Sequence, residues 1–465
     1  MKVLLVNPYY PEDVRREEDW NGLCPGSKVV PEHMLQIAAE IRKVHDLKVI
    51  DCLITKTTVD DINMHNFDVV ISMASYKLKL EYELAYLEKA KESGAITILV
   101  LNDAYAGGLV MNEHHFIDIL MREEKEFVIE ELLDAIEKER DLKNIKGILF
   151  RRNGQIISTP KYVTIDFSKL QFPAYDLIDM KKYTFSPVRS AKGCPFKCTF
   201  CHQGALHGNQ AKFVPMEKII KTLSYINEYK NIKRVLLLNE DFAVNDQYVH
   251  DLSEQIINND INLKLTTSLR AYMLKNETLY TFRKAGFDLL HLGLESANDF
   301  ILKKIKKGIN KSMIERGLKK LKKFNFIIHA SMIVGFPWDS RETLLEMEQF
   351  LNEFFPRYIQ NFGVNFLVPE PGTEIYTTMR EMKLINGPLR GGQRGSFLFL
   401  KPNAKTLYLS KDELARLREQ IIRNVRYNPK KRLQVFLKQQ TNDVQFKISD
   451  ALNIYEQYKL HKSEV

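Results

Sequence analysis

The stretch AKGCPFKCTFCH, residues 191–202, holds three of the five cysteines of the chain, at the spacing C-x3-C-x2-C. It follows an extended run with a proline, residues 183–190, which predicts that the cysteines lie on a loop after a strand. Three thiolates so close together on a loop can bind one soft metal centre from a single side. They are too few for a closed structural zinc site, and they would leave one iron of a four-iron cluster free for another ligand.

The composition around this loop is that of an ordinary globular protein. The chain has 465 residues, 45% apolar and 27% charged, which predicts two or three domains. No apolar run is long enough for a membrane span, and the chain starts with a strand pattern instead of a signal peptide. Five unevenly placed cysteines favour a reducing compartment, so we expect a cytoplasmic protein. The net charge of +9 is interspersed with acidic residues, which indicates a solvated surface and no nucleic-acid partner.

Upstream of the cysteines, residues 1–140 alternate between strand and helix patterns. This alternation predicts a doubly wound α/β domain. The segment 141–185 contains Asn153-Gly154, a turn signal for a β-hairpin, and is otherwise interpreted as a linker. The predicted strands are 2–7, 47–52, 68–72 and 95–101, and the predicted helices start at Pro31 or span 80–93 and 123–139.

Downstream of the cysteines, residues 186–385 continue the alternation for about six βα units, which indicates a complete or partial parallel barrel. Besides the strand before the cysteine loop, the predicted strands are 234–239, 262–268, 289–295, 326–335 and 361–368. Chemistry in such barrels lies at the carboxyl ends of the strands, where Asn239, Glu240, Arg270, Glu295 and Gly335 fall. Residues 386–465 are predicted to be mainly helical, with a capping box at Ser410 and no catalytic signature.

Taken together, these features resemble the radical S-adenosylmethionine (radical SAM) enzymes. The cysteine loop has an aromatic residue, Phe200, before its last cysteine, and further stretches match the family in order: LNEDF (238–242), SLR (268–270), GLES (293–296), IVGFP (333–337) and PEPGT (369–373). The front half, with Asn7-Pro8 after the first strand and Gly107-Gly108, is similar to the subfamily with an amino-terminal cobalamin-binding-like domain. The resemblance implies a Rossmann-like cobalamin-binding-like domain, a partial (β/α)6 TIM-type barrel and a mainly helical carboxyl-terminal region.

The resemblance also implies the chemistry. Cys194, Cys198 and Cys201 would each ligate one iron of a [4Fe-4S] cluster, and the fourth iron would take the amino and carboxylate groups of SAM. An external one-electron donor such as flavodoxin or ferredoxin would reduce the cluster. SAM would then be cleaved to methionine and a 5'-deoxyadenosyl radical, which abstracts hydrogen from an unactivated C–H bond.

Further positions carry over as contacts to SAM. Asn239 and Glu240 would lie near the methionine amino group, and Arg270 would pair with its carboxylate. Glu295 would face the ribose or the amino end. The adenine would be bordered by Gly335, Pro337 and the backbone of Phe200.

Several alternatives stay open at this point. The cysteines could bind a structural zinc with His202 or His207, and Arg270 and Glu295 could form an ion pair at the barrel rim. The Gly-Phe-Pro stretch at Gly335 could be a strand-ending turn only. The rival functions are therefore a zinc-stabilised binding protein and a degenerate barrel that keeps its cluster for electron transfer or sensing.

The amino-terminal domain leaves the reaction open. Cobalamin-binding domains often carry an Asp-x-His-x-x-Gly signature, and His45, His65, His114 and His115 all lack that context. With cobalamin, the resemblance implies methyl transfer to carbon. Without cobalamin, it implies rearrangement, cyclisation, epimerisation or carbon–carbon bond formation on an unknown peptide or small molecule.

The two cysteines outside the loop differ in context. Cys24 lies in a segment of about twenty loop residues after the first strand, a length that usually means function or disorder. It could reach the barrel mouth and donate hydrogen to a substrate radical, or be an ordinary loop cysteine. Cys52 lies in an apolar strand and is predicted to belong to the core.

Overall fold

The protein is described here by a computed structural model. The residues that the structure describes are 1–9, 27–74, 80–101, 107–122, 124–162, 165–203, 209–270, 274–385 and 401–426. Two large sheets organise them, one in each half of the chain. Among the described residues, no helix is both long and apolar enough to cross a bilayer.

The first sheet has seven strands in the order β2-β1-β3-β4-β5-β6-β7. The first five strands are parallel, and the predicted hairpin continues the sheet as its antiparallel edge. Its strands are β1 Lys2–Asn7, β2 Asp46–Asp51, β3 Val69–Ala74, β4 Ile96–Leu101, β5 Ile119–Met121, β6 Ile148–Arg152 and β7 Gln155–Ser158. Its helices are α1 Glu32–Ile41, α2 Cys52–Thr55, α3 Leu80–Glu92, α4 Gly107–Glu113 and α5 Lys125–Glu137.

Both faces of this sheet are covered by helices, as the continuous apolar strands predict. On one face, Val3 and Leu5 of β1 pack with side chains of α1 and α5. On the other face, Leu4 and Val6 pack with side chains of α3 and α4. The doubly wound prediction is therefore confirmed. Cys52 is fully buried in the second of these cores, as predicted, but it is the first residue of α2 and not part of strand β2.

The second sheet is a partial barrel of six parallel strands in the order β15-β14-β13-β12-β11-β8. Its strands are β8 Phe185–Arg189, β11 Arg234–Leu238, β12 Leu265–Leu269, β13 Phe287–Glu295, β14 Ile327–Val334 and β15 Asn361–Phe366, and a separate short antiparallel pair is formed by β9 Ala191–Lys192 and β10 Lys212–Phe213. This confirms the predicted (β/α)6 architecture.

The helices of the second half alternate with these strands. Several begin at a residue whose side chain accepts a hydrogen bond from the first turn, which stabilises the helix start: Asn245, Asn298, Asn310, Ser340 and Thr373. The helices are α6 Met216–Asn227, α7 Asp246–Asn258, α8 Asn276–Lys284, α9 Asp299–Lys304, α10 Lys311–Lys323, α11 Arg341–Phe354, α12 Glu374–Glu381 and α13 Lys411–Arg426.

The two open edges of the partial barrel are covered from opposite ends of the chain. At the β8 edge, Val29 forms a parallel bridge with Phe185. At the β15 edge, Arg418 of α13 donates from Nε to the carbonyl oxygen of Val364 at 2.6 Å, and Arg426 donates to that of Phe362. Unpaired edge groups are thus satisfied by the amino-terminal half and by α13.

The start of α13 agrees with the predicted capping box. The Ser410 amide donates to Glu413 Oε2 at 2.9 Å, and the Glu413 amide donates to Ser410 Oγ at 3.3 Å.

The two halves share one hydrophobic core. Leu35 of α1, Tyr175 of the linker and Leu223 of α6 all belong to the same buried cluster. The backbone amide of Ala174 also donates to the carbonyl oxygen of Leu35 at 3.0 Å. The linker is therefore a packed layer between the first sheet and the barrel.

Candidate active site

The cysteine loop is hydrogen-bonded to the barrel at Thr199, the residue after Cys198. The Thr199 amide donates to the carbonyl oxygen of Ile305 at 3.0 Å, and the Thr199 carbonyl accepts from the Ile375 amide at 2.9 Å. Within the loop, the Cys201 amide donates to the carbonyl oxygen of Cys198 at 3.1 Å. The thiols are half-buried and not in disulfides.

The distances between the three sulfurs bear on the kind of metal centre that the loop could hold. A tetrahedral zinc with Zn–S bonds of about 2.3 Å brings its sulfurs to roughly 3.8 Å of one another. In the described part of the chain, the one set of at least three His, Cys, Asp or Glu ligand atoms within 4.8 Å of one another is formed by His250, Asp251 and Glu254. Cys194, Cys198 and Cys201 do not form such a set, so at least one pair of their sulfurs lies more than 4.8 Å apart in this structure. His202 lies 3.4 Å from Gln203 through its Nε2, and His207 is outside the described residues.

Burial keeps two of the three thiols protonated in the metal-free chain. Burial raises the pKa of Cys194 to about 11 and also raises the pKa of Cys201. Thiols in such surroundings become thiolate ligands only when a metal compensates for the loss of the proton.

Arg270, the residue after β12, lies directly against the cysteine loop. Its Nε donates to Asp241 Oδ2 at 2.9 Å, and its Nη1 donates to the carbonyl oxygen of Lys307. Its guanidinium carbon is 3.6 Å from the ring centre of Phe196, and its Nη2 is 3.4 Å from Cys198 Sγ. The arginine is thus held by groups of the chain itself on several sides.

Glu295 ends β13 in an unusual conformation. Its φ is +65°, in the left-handed region, and the register with β14 shifts between Gly293 and Glu295. This bulge turns the carboxylate toward Lys307, whose Nζ donates to Glu295 Oε1 at 2.8 Å in a buried ion pair. A Cβ at Gly293 would lie 2.5 Å from that oxygen, so a larger residue there would displace the Glu295 carboxylate.

The ion pair that the sequence suggested between Arg270 and Glu295 is therefore not formed. Arg270 pairs with Asp241, and Glu295 pairs with Lys307. Asp241 and Lys307 were both missed from the sequence. Asp241 had a weak signal, since it directly follows Asn239 and Glu240 at a strand end, whereas Lys307 is one of four lysines at the end of α9 and just after it.

Asn239, the residue after β11, donates hydrogen bonds from its side-chain nitrogen to groups of the barrel strands. Nδ2 donates to Thr267 Oγ1 at 2.7 Å and to the carbonyl oxygen of Leu237 at 2.8 Å. Its Oδ1 is buried and accepts no hydrogen bond from the described residues. A buried acceptor without a donor is costly, which marks this oxygen as a binding position for a ligand donor. The next residue, Glu240, is half-buried.

Gly335 follows β14 and opens a turn that Asp339 closes. Gly335 has a φ of +99°, and its amide and that of Phe336 donate to Asp339 Oδ2 at 2.8 and 2.9 Å. Phe336 packs edge-on against Phe200 of the cysteine loop, with ring centres 5.7 Å apart. Pro337 is buried beside them, and its carbonyl accepts from the Leu407 amide at 2.9 Å. The turn thus connects β14 to the cysteine loop.

Asp339 predicts a pH dependence of stability. Burial raises the pKa of its carboxyl to about 7, against about 3.9 in an unfolded chain. Because the folded state holds this proton more tightly, the contribution is full below about pH 4 and is lost as the pH rises through about 7. In Asp339→Asn, we expect the urea midpoint to fall less between pH 4 and pH 8 than in the wild type. Asp60→Asn, at an exposed position, is the control, and parallel curves for wild type and Asp339→Asn would contradict the assignment.

The amino-terminal half reaches the cysteine loop through a buried lysine. Lys192, two residues before Cys194, donates from Nζ to Glu124 Oε2 at 2.6 Å and to Glu126 Oε1 at 2.8 Å. Glu126 also lies 3.4 Å from Nε2 of His33 in α1. These residues follow strands of the first sheet, and Lys192 follows β8 of the barrel, so the carboxyl ends of both sheets meet here.

In the described part of the amino-terminal half, no histidine outside α1 lies at the carboxyl edge of the first sheet, where it could ligate cobalt. His45, His65, His114 and His115 all precede strands and so lie toward the amino-terminal edge of the first sheet. Gly107 and Gly108 open α4 on the carboxyl side, and a Cβ at Gly107 would contact Leu120 at 3.0 Å. Cys24 lies outside the described residues.

A comparison with known protein families matches the part of the barrel that begins at the end of β8. The model of the radical SAM superfamily matches residues 188–351. An uncharacterised methyltransferase of Pyrococcus horikoshii is 27% identical over 90% of this chain and 90% of its own length. The anaerobic magnesium-protoporphyrin IX monomethyl ester cyclase of Synechocystis is 25% identical over 59% of this chain, and this match covers 56% of the cyclase.

Solved structures extend the similarity to the whole fold. The cobalamin-dependent SAM radical enzyme OxsB, with aqua-cobalamin and SAM bound, matches 99% of this chain and 75% of its own, with a TM-score of 0.72 and 14% identity. The radical SAM methyltransferase TsrM of Kitasatospora setae, with cobalamin and a [4Fe-4S] cluster bound, matches 92% of this chain and 90% of its own, with a TM-score of 0.69 and 13% identity. At such identities the likeness concerns the fold, which includes the amino-terminal sheet.

Proposed function

We propose that this chain, a radical SAM enzyme with a cobalamin-binding-like domain in front of a partial barrel, methylates an unactivated carbon of its substrate with the help of cobalamin. Its family implies a [4Fe-4S] cluster and SAM as cofactors, and an electron donor and a substrate as partners. The relative that covers nine-tenths of the chain is named a methyltransferase. Methyl transfer and the use of cobalamin are the two parts of this function that we propose.

The proposal is supported by the contact between the first sheet and the cysteine loop. Ion pairs of Lys192 with Glu124 and Glu126 hold the carboxyl edge of the first sheet against the base of the cysteine loop. Ligands of open α/β sheets bind at the carboxyl ends of the strands. A cobalamin bound at that edge would therefore face the mouth of the barrel, where the cysteine loop lies.

In this proposal Cys194, Cys198 and Cys201 hold the cluster. When bound, the cluster and cobalamin supply the one-electron and methyl-carrier chemistry that side chains lack. The residues of the chain bind and orient SAM. The buried Oδ1 of Asn239 would accept a hydrogen bond from the ammonium group of SAM, and Glu240, the next residue, would lie near the same group.

The other SAM contacts follow the strand ends. Glu295, held by Lys307, faces the ribose or the amino end. The turn at Gly335 and Pro337, fixed by Asp339 and packed on Phe200, borders the adenine. Arg270 is close enough to the cysteine loop to reach the SAM carboxylate with part of its guanidinium, although Asp241 already binds Nε. Cys24 stays a proposed hydrogen donor on sequence grounds alone.

For cobalamin, we propose binding without a histidine ligand to cobalt. The four histidines that precede strands are on the wrong side of the first sheet for a ligand at its carboxyl edge. His33 is on the right side, but its Nε2 already interacts with Glu126.

The test uses the full chain, purified and reconstituted without oxygen. We expect about four iron and four sulfide per chain. With dithionite, small-molecule extracts and SAM labelled in its methyl group, label should enter a product only when cobalamin is added. A product that forms without cobalamin and without the label would contradict methylation and favour cyclisation or rearrangement, the type of reaction in the name of the Synechocystis relative.

A further inference from the structure

The three cysteines of the loop differ in the groups that donate to their sulfurs. The thiols of Cys194 and Cys201 interact with the backbone amides of Phe196 and Gln203. Cys198 instead has a charged side chain as its donor, since Nη2 of Arg270 lies 3.4 Å from its Sγ. A nitrogen–sulfur distance of this size is that of a hydrogen bond to a large acceptor atom.

The guanidinium of Arg270 is held in place for this contact. Asp241 binds its Nε, the Lys307 carbonyl binds its Nη1, and the ring of Phe196 stacks against it at 3.6 Å. The residue is only 6% exposed, so solvent screens its charge weakly. An arginine keeps its proton at every working pH. The guanidinium of Arg270 therefore keeps a permanent positive charge beside the sulfur of Cys198.

We propose that Arg270 tunes the reduction potential of the cluster through its hydrogen bond to Cys198, in addition to any contact with SAM. This inference rests on the proposed ligation of iron by Cys198. Reduction adds one electron from the external donor to the cluster, and the reduced cluster is more negative by one charge. A donor and a positive charge at a ligating sulfur stabilise that reduced state, so Arg270 raises the reduction potential.

Asp241 shifts the reduction potential of the cluster in the opposite direction. Its carboxylate orients the guanidinium through Nε and the Arg270 amide, at 2.9 and 3.3 Å. It also places a negative charge near the sulfurs, which lowers the potential. Replacing the carboxylate by an amide keeps an oxygen that accepts from Nε and removes the charge.

The experiment is a redox titration of the reconstituted full chain, followed by the EPR signal of the reduced cluster. We expect Arg270→Met to lower the midpoint potential and Arg270→Lys to lower it less, because lysine keeps the charge and loses the fork. Asp241→Asn should raise it. Lys303→Met removes a positive charge from an exposed position of α9 and serves as the charge control, with no comparable shift.

The outcomes separate this role from a structural one. Iron content is measured for each variant. An Arg270 variant that has the full cluster and the same midpoint potential as the wild type would overturn the proposal. Loss of the cluster in both variants of Arg270 would show a structural role instead and would also overturn the proposal, because the shift in Asp241→Asn reports the charge of Asp241 itself. Failure of the wild type to assemble a cluster would instead contradict the assignment of the cysteines.

Discussion

Replacement of Cys198 by alanine is expected to abolish cluster assembly and, with it, the formation of 5'-deoxyadenosine from SAM. The cluster has one protein ligand for each of three irons, and loss of one thiolate leaves too few ligands to hold it. Iron content should fall from about four per chain to near zero, and SAM cleavage under dithionite should fall to background. Both are measured on protein reconstituted without oxygen.

Cys52→Ala is the matched control for this result. Cys52 is fully buried in the core of the first sheet, away from the cysteine loop. Its replacement should cost about 1 kcal/mol of stability and leave the cluster intact. SAM cleavage that persists in Cys198→Ala would refute the assignment of this ligand.

Replacement of Lys192 by methionine should destabilise the protein more than most substitutions. Its side chain is 11% exposed, and those of its partners Glu124 and Glu126 are 1% and 6% exposed. Removing one member of a buried ionic group leaves the remaining charges without compensation, at a cost of about 3–5 kcal/mol. The free energy of unfolding, measured in urea at pH 7 on the cluster-free chain, should fall by that amount.

Lys89→Met provides the comparison for the same chemical change at the surface. Lys89 pairs with Asp60 at 2.9 Å, and the two side chains are 35% and 86% exposed. Such a pair contributes about 0–1 kcal/mol. Equal losses in the two variants would mean that the contact between the first sheet and the cysteine loop does not depend on these charges. A larger loss in Lys192→Met should be accompanied by weaker retention of iron, because Cys194 is two residues away.

The strands and helices could be predicted largely from local pattern. β1 has the predicted bounds, and the other predicted strands lie within a few residues of their predictions, because buried parallel strands are continuous apolar runs. The short strand β5 was not predicted. The bulge at Glu295 was beyond such a pattern. It depends on a close approach between Glu295, Gly293 and Lys307, which lie on two segments of the chain.

Lys307 shows why part of the site could not be found. Lys303, Lys304 and Lys306 are exposed, and Lys307 alone of these four is buried and paired with Glu295. Nothing in the sequence distinguishes four nearby lysines, since burial is set by where the chain turns after α9. Asp241 is a similar case, because its partner Arg270 comes from the next strand.

The sequence by itself determined the class of protein. The cysteine spacing, the order of the strand-end motifs and the alternation of strands and helices are all visible along the chain. The tertiary structure alone decided which charges meet. Asp241 with Arg270, Glu295 with Lys307 and Lys192 with Glu124 are each joined across separate elements. Electrostatic pairing in a buried site depends on distance in space, and distance along the chain does not report it.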